Sequence, residues 1–380
     1  MSDPVYLDYN ATTPVAPEVV DAMLPFLREQ FGNPASSHDR GQYARQAVFD
    51  ARQQVAALIG ATPEEIVFTG CATEANNLAL LGAAASGEGK RHLVFSAVEH
   101  PAVTQPALHL RQLGWAVSVV PVDGQGRVAP EAVAAALRPD TALVSVMHAN
   151  NEVGTIQPVA EIAALTRPRN ILLHTDAAQS AGKIVVDVEA LGVDLLTLAG
   201  HKFYATKGIG ALYVRAGTPI RAIAFGADQE RGLRPGTENV PAIVGLGMAA
   251  RLARERLPEA TVQLRRLRDR LHARLAAAIP GLVVNGHPDE RLPNTLHVSF
   301  PGATGRVLLH AASADVAASL GSACHSAHDA VSGVLAAMGV DAARAAGAVR
   351  LSVGVMTSDE DVDRAAAGLI AAWQDNHSPM

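Results

Sequence analysis

The chain has 380 residues, with 31 basic against 37 acidic side chains and a formal net charge of −6. That balance, spread without long like-charged runs, excludes a broad nucleic-acid or anionic-membrane footprint. Length allows roughly two to three domains with an enclosed site, and no apolar run reaches membrane-spanning length.

Residues 40–59 carry the pattern of a long amphipathic helix. From about residue 60 to 215, short apolar runs alternate with helical patterns. Strands are predicted at 92–97, 116–122, 143–148, 171–175, 195–199 and 209–214, and helices at 73–85, 102–113 and 159–166. Continuous apolar strands separated by helices predict an α/β domain on a largely parallel sheet covered on both faces. A second long helix is predicted over 241–278, where LRRLRDRLHARL reads as a solvated charged face. Strands at 296–300 and 349–353, a helix between them and a final helix from Asp359 predict a smaller α+β unit. There is no internal repeat.

Only four residues are lysine (Lys90, Lys183, Lys202, Lys207) and two are cysteine (Cys71, Cys324), so amine or thiol chemistry has few candidates. Two distant cysteines make no disulfide framework, and the opening MSDPVYLDYN lacks the marks of a signal peptide. A reducing cytoplasm is the expected setting.

HTDAAQ (174–179) and AGHKFY (199–204) each follow a predicted buried strand. Asp176, Gln179, His201 and Lys202 are therefore expected at the carboxyl ends of strands, where open α/β sheets bind ligands. A lysine there, with an aspartate from a neighbouring strand, meets the needs of pyridoxal phosphate: the amine forms a Schiff base and the carboxylate keeps the pyridine nitrogen protonated. A Lys–Asp pair closing a sheet edge is the alternative. TGCATEANN (69–77) runs from strand into helix, so the amides at Ala72 and Thr73 offer a phosphate site; a plain threonine N-cap is the alternative. His100 and Asn151 follow two further strands on the same rim. An imidazole there can stack on a pyridine ring and an amide can bond its phenolic oxygen, while a structural role fits either residue equally.

The motifs YLDYNATTP, GNPASSH, ATEANN, VEH, NNEVG, HTDAAQ, GHKFYATKGIGALYVR, ERGLRPGTEN, RLPNT, GSAC and RLSVG occur in order along nearly the whole chain. This resembles the cysteine desulfurase and selenocysteine lyase family, class-V aminotransferase-like enzymes of fold type I that use pyridoxal 5'-phosphate. The resemblance implies a large cofactor-binding α/β domain (15–255) with a mainly parallel seven-stranded sheet. It also implies a small α+β domain (1–14 with 256–380) carrying the Cys324 loop. Lys202 would hold the cofactor, Asp176 would pair with the pyridine nitrogen, and Gln179 with Asn151 would contact the ring oxygen. His100 would stack on the ring and act as an acid or base toward the substrate. Ala72, Thr73 and His201 would hold the phosphate, and Thr237 would reach the phosphate of a second subunit, making a homodimer. Asn33 and Arg350 would grip the substrate carboxylate.

Cys324 would take the sulfur of L-cysteine as a persulfide, release L-alanine and pass the sulfur to an acceptor protein, for example in cluster assembly. L-selenocysteine is the alternative substrate, with a lyase that needs Cys324 less. Cys324, His325 and His328 resemble a metal-ligand run, but the run lacks a further ligand pair and no metal is expected. Cys71 stands where the family has glycine and is expected to be a small buried filler.

Several positions depart from the family. Ala199 replaces a phosphate-binding serine of many desulfurases; one charge-assisted bond is worth about 1.5–3 kcal/mol, or roughly ten- to a hundredfold in affinity. Ala227 and Asp228 replace glycines, and Val355 replaces a common arginine. CHS at 324–326 resembles selenocysteine lyases, whereas Pro101 and the loop length resemble desulfurases.

Overall fold

The computed structural model describes residues 3–87, 89–321 and 332–376. After a short strand β1 (Val5–Tyr6), seven strands build one sheet: β2 (Ile66–Thr69), β3 (His92–Ser96), β4 (Ala116–Val120), β5 (Thr141–Ser145), β6 (Leu172–Asp176), β7 (Leu195–Ala199) and β8 (Gly210–Val214). Their order is β2-β8-β7-β6-β5-β3-β4. All neighbours pair parallel except β8, which runs against both β7 and β2.

Every residue of β2, β3, β5, β7 and β8 is buried, because helices cover both faces. Phe26 of helix Pro17–Arg28, Val48 and Val55 of helix Asp39–Leu58, and Leu246 of helix Val240–Ala278 pack on one side. Leu78 of helix Ala72–Ser86 and Val103 and Leu110 of helix Pro101–Gln112 pack on the other. Helix Pro17–Arg28 and strand β2 escape the sequence pattern, the helix because Pro25 interrupts it, the strand because it has only four residues. The run predicted as 143–148 forms a strand only to Ser145, since the Met147 N–H donates to the Glu99 carboxylate (2.7 Å) and not to a neighbouring strand.

The 39-residue helix Val240–Ala278 joins this core to a second one, built on its residues Leu264, Leu267, Leu271 and Leu275. Its partners are β9 (Val283–Asn285), β10 (Thr295–Ser299), β11 (Val316–Ala317), β12 (Ala348–Ser352) and helix Asp359–Asp375, with the antiparallel order β12-β10-β9. β1 pairs parallel with β11, which carries the following YLDYNATTP segment between the two cores. The arginines of the long helix form a paired surface: Arg270 and Arg274 reach Asp363, and Arg266 reaches Asp359. Among the described residues no helix is long and apolar enough to cross a membrane.

Candidate active site

A cavity of about 530 Å³ opens at the carboxyl rim of the sheet, within the usual range for a small-molecule site. Lys202, Asp176, His100 and Thr73 line it, Asp176 as the last residue of β6 and the others from segments that follow three different strands. Asp176 ends β6 at 6% exposure. Its Oδ1 accepts from the Ala178 N–H (2.9 Å) and its Oδ2 from Asn76 Nδ2 (2.7 Å), so its orientation is fixed from two sides. Lys202 closes the 3₁₀ turn Gly200–Lys202 that follows β7. Its Nζ donates to the main-chain oxygens of Asn10 (2.6 Å) and Ala11 (2.8 Å), so the N-terminal motif holds this amine.

Helix Ala72–Ser86 starts at the same rim, and its first amides lie outside the helical ladder. Gly210 lets this loop approach β8: a Cβ there would meet the Cys71 carbonyl carbon at 2.8 Å and the Ala72 nitrogen at 3.0 Å. Cys71 is a correction to the expected buried filler. It is exposed, lines the cavity and caps the helix, accepting from the Glu74 N–H through Sγ at 3.5 Å. Ala199 is buried and also lines the cavity, so its position offers no hydroxyl.

His100 caps helix Pro101–Gln112, its Nδ1 accepting from the Ala102 N–H at 3.1 Å. The neutral ring therefore carries its proton on Nε2. Burial lowers its pKa, with Asp176 opposing and Lys202 adding to the shift. His201 bonds Thr12 Oγ1 at 3.1 Å and is driven to about 4 by burial and by Lys202, Lys207 and Lys183; at neutral pH it is a hydrogen-bonding group and not a cation. In the Asn150–Asn151 pair the roles separate. Asn150 is structural, its Oδ1 accepting from the Glu152 and Val153 amides, whereas Asn151 lines the cavity.

Arg350 lines the cavity, but its terminal nitrogens are committed to the protein: Nη2 to Asp8 Oδ1 (2.7 Å) and Ser319 Oγ (2.9 Å), Nη1 to the Asn151 oxygen (2.9 Å). Its Nε is buried without a partner among the described residues. Asn33 is exposed, bonds the Ala35 amide and does not line this cavity. Thr237 is likewise exposed and away from it. Its loop is tied to the helix start by Arg234 on Glu74 (2.9 Å). Cys324, with His325 and His328, lies outside the described residues.

Three site residues carried no sequence signal beyond their motifs. Glu99 is buried in the wall, where its Oε1 accepts from Ser96 Oγ (2.5 Å) and the Met147 N–H. Burial, with the Asp176 charge adding, lifts its pKa to about 8. Asn76, at 0% exposure, orients Asp176. Lys183, at 6% exposure, lies behind Gln179. Only their tertiary neighbours distinguish them from ordinary helix and turn residues.

An amine at one strand end, a doubly anchored carboxylate at the next, a helix start for a phosphate and an imidazole on the rim fit pyridoxal phosphate, and together with the sheet order they define the fold type I, class-V aminotransferase class of enzymes. Residues 5–365 match the aminotransferase class-V family. A curated relative named cysteine desulfurase IscS, from Dictyoglomus turgidum (strain DSM 6724 / Z-1310), is 44% identical over 366 residues, 96% of this chain and 93% of the relative. A solved structure described as a NifS-like protein superposes with a TM-score of 0.91 at 40% identity, covering 97% of this chain and 98% of its own. Another, described as SspA in complex with cysteine, gives 0.83 at 36% identity, covering 93% and 99%. The chain belongs to the cysteine desulfurase family.

Proposed function

We propose that this protein is a pyridoxal phosphate-dependent cysteine desulfurase that converts L-cysteine to L-alanine and passes the sulfur onward through Cys324. The observation that carries the reading is the convergence of Lys202, Asp176 and His100 on one cavity at the sheet's carboxyl rim, in a chain whose relatives bear that name. When bound, pyridoxal phosphate supplies an electron sink for the bonds around the substrate Cα.

Lys202 would hold the cofactor, and its Nζ would take the proton from the substrate Cα. Asp176, held by Asn76 and Ala178, would support the protonated pyridine nitrogen. Gln179 and Asn151 would contact the ring oxygen; Ala72, Thr73 and His201 would hold the phosphate, with Thr237 contributed by a second subunit in a homodimer. His100 would stack on the ring and offer its Nε2 proton to the departing sulfur. Arg350 would receive the substrate carboxylate, which requires it to exchange its bond to Asp8; Asn33, which does not line this cavity, has no part in that role. The Cys324 thiolate attacks the substrate sulfur; the Cβ–S bond breaks, a proton completes alanine, and Cys324 keeps the sulfur as a persulfide. An acceptor protein then takes it.

The same reading includes a two-domain division at 15–255, supported by the two separate apolar cores, and a cytoplasmic setting. Incubation with L-cysteine should yield equal alanine and transferable sulfur. Lys202→Ala should abolish both, and Cys324→Ala should abolish alanine formation from cysteine. An unaltered rate in Cys324→Ala would overturn the persulfide route, and much faster turnover of L-selenocysteine in that variant would mark a lyase.

A further inference from the structure

Lys183 is buried, follows the HTDAAQ segment and has no part in the chemistry above. Its Nζ donates to Gln179 Oε1 at 2.9 Å and lies 3.5 Å from Asn10 Oδ1. Asn10 is shared with the other amine of the site, since its main-chain oxygen accepts from both Lys202 Nζ (2.6 Å) and Gln179 Nε2 (2.9 Å). The Asn10 side chain is itself fixed, accepting from Asn294 Nδ2 (2.9 Å) and donating to Thr295 Oγ1 (2.8 Å). Helix Val240–Ala278 closes the cage from behind with an uncharged contact, Thr261 Oγ1 to the Lys183 oxygen (2.9 Å).

A glutamine amide has two nearly isosteric orientations, and its neighbours decide between them. An amine that donates to one end and a carbonyl that accepts at the other leave only one. We propose that Lys183 is a positioning residue of the cofactor site: it holds the Gln179 oxygen inward, so that the Gln179 NH₂ is presented to the ring oxygen of the cofactor.

The charged groups acting on Lys183 are the Lys202 amine and the Arg350 guanidinium, and Lys183 in turn acts on His201. Desolvation and these two cations lower its pKa well below that of a free lysine. The amine keeps N–H donors in either charge state, so its hold on Gln179 Oε1 does not depend on its protonation.

The inference rests on the cofactor reading, and the experiment separates the two. A bond donated to the ring oxygen favours its charged form and lowers the pH midpoint of the bound cofactor's visible band. Lys183→Met in the holoprotein should raise that midpoint by roughly half a pH unit or more. Gln179→Ala should raise it too, and the double variant should match Gln179→Ala alone, because coupled residues do not add. Should Lys183→Met fail to accumulate as holoprotein, Lys183→Gln carries the same test, its shorter side chain falling short of Gln179. An unshifted midpoint, or fully additive shifts in the double variant, overturns the positioning role. A wild-type protein that takes up no pyridoxal phosphate, and so has no visible band, would instead overturn the cofactor reading itself.

Discussion

Replacing Glu99 with glutamine tests the electrostatics of the cavity wall. The Glu99 carboxyl is fully enclosed, its Oε1 bonded to Ser96 and Met147 and its Oε2 left without a partner among the described residues. Burial, with Asp176 adding to it, raises the pKa to about 8 from 4.5. Between those values the folded chain keeps a proton that the unfolded chain has released, so stability falls as pH rises from 4.5 and levels off above 8. One proton changes the folding constant roughly tenfold per pH unit, which makes the change from about pH 5.5 to 7.5 roughly a hundredfold, on the order of 3 kcal/mol.

Glutamine has no proton to lose, keeps the Oε1 acceptor and fills the unpartnered position with an NH₂. Urea unfolding of cofactor-free protein should therefore show Glu99→Gln gaining on the wild type by that amount across the window. A stability gap that stays constant within about 0.5 kcal/mol, the scatter of a neutral substitution, refutes the buried neutral acid.

Gly210→Ala should crowd the Cys71–Ala72 peptide. The expected loss is about 1–3 kcal/mol, read as a lower melting temperature together with faster cofactor loss on dialysis. Cys71, exposed at the cavity, should be alkylated by iodoacetamide several-fold more slowly when cofactor is bound. The measurement is made in a Cys324→Ala background, and equal rates in the two forms would detach Cys71 from the phosphate loop.

The alternation of strands and helices was legible in the sequence, because buried parallel strands must be continuous apolar runs and the helices between them keep a separate period. The same patterning put Asp176, Lys202, His100 and Asn151 at or beyond strand ends; β6 ends on Asp176 itself, β7 and β3 end at Ala199 and Ser96, and β5 ends earlier than expected, at Ser145. What patterning could not carry was contact between distant segments. Asn10 meets Gln179 and Lys202 only because β1 pairs with β11 and the Asn10 amide bonds Ser352 Oγ, 342 residues away.

Lys183 reads locally as a turn lysine and Cys71 as a buried filler. Tertiary packing decided otherwise for both: helix Val240–Ala278 seals the lysine in behind Gln179, and the rim of the sheet leaves the thiol open to the cavity. The Arg350 guanidinium, expected to grip the substrate carboxylate, is bonded by the fold to Asp8. Burial and pairing belong to the three-dimensional neighbourhood of a side chain, and those neighbours come from segments that local periodicity treats independently.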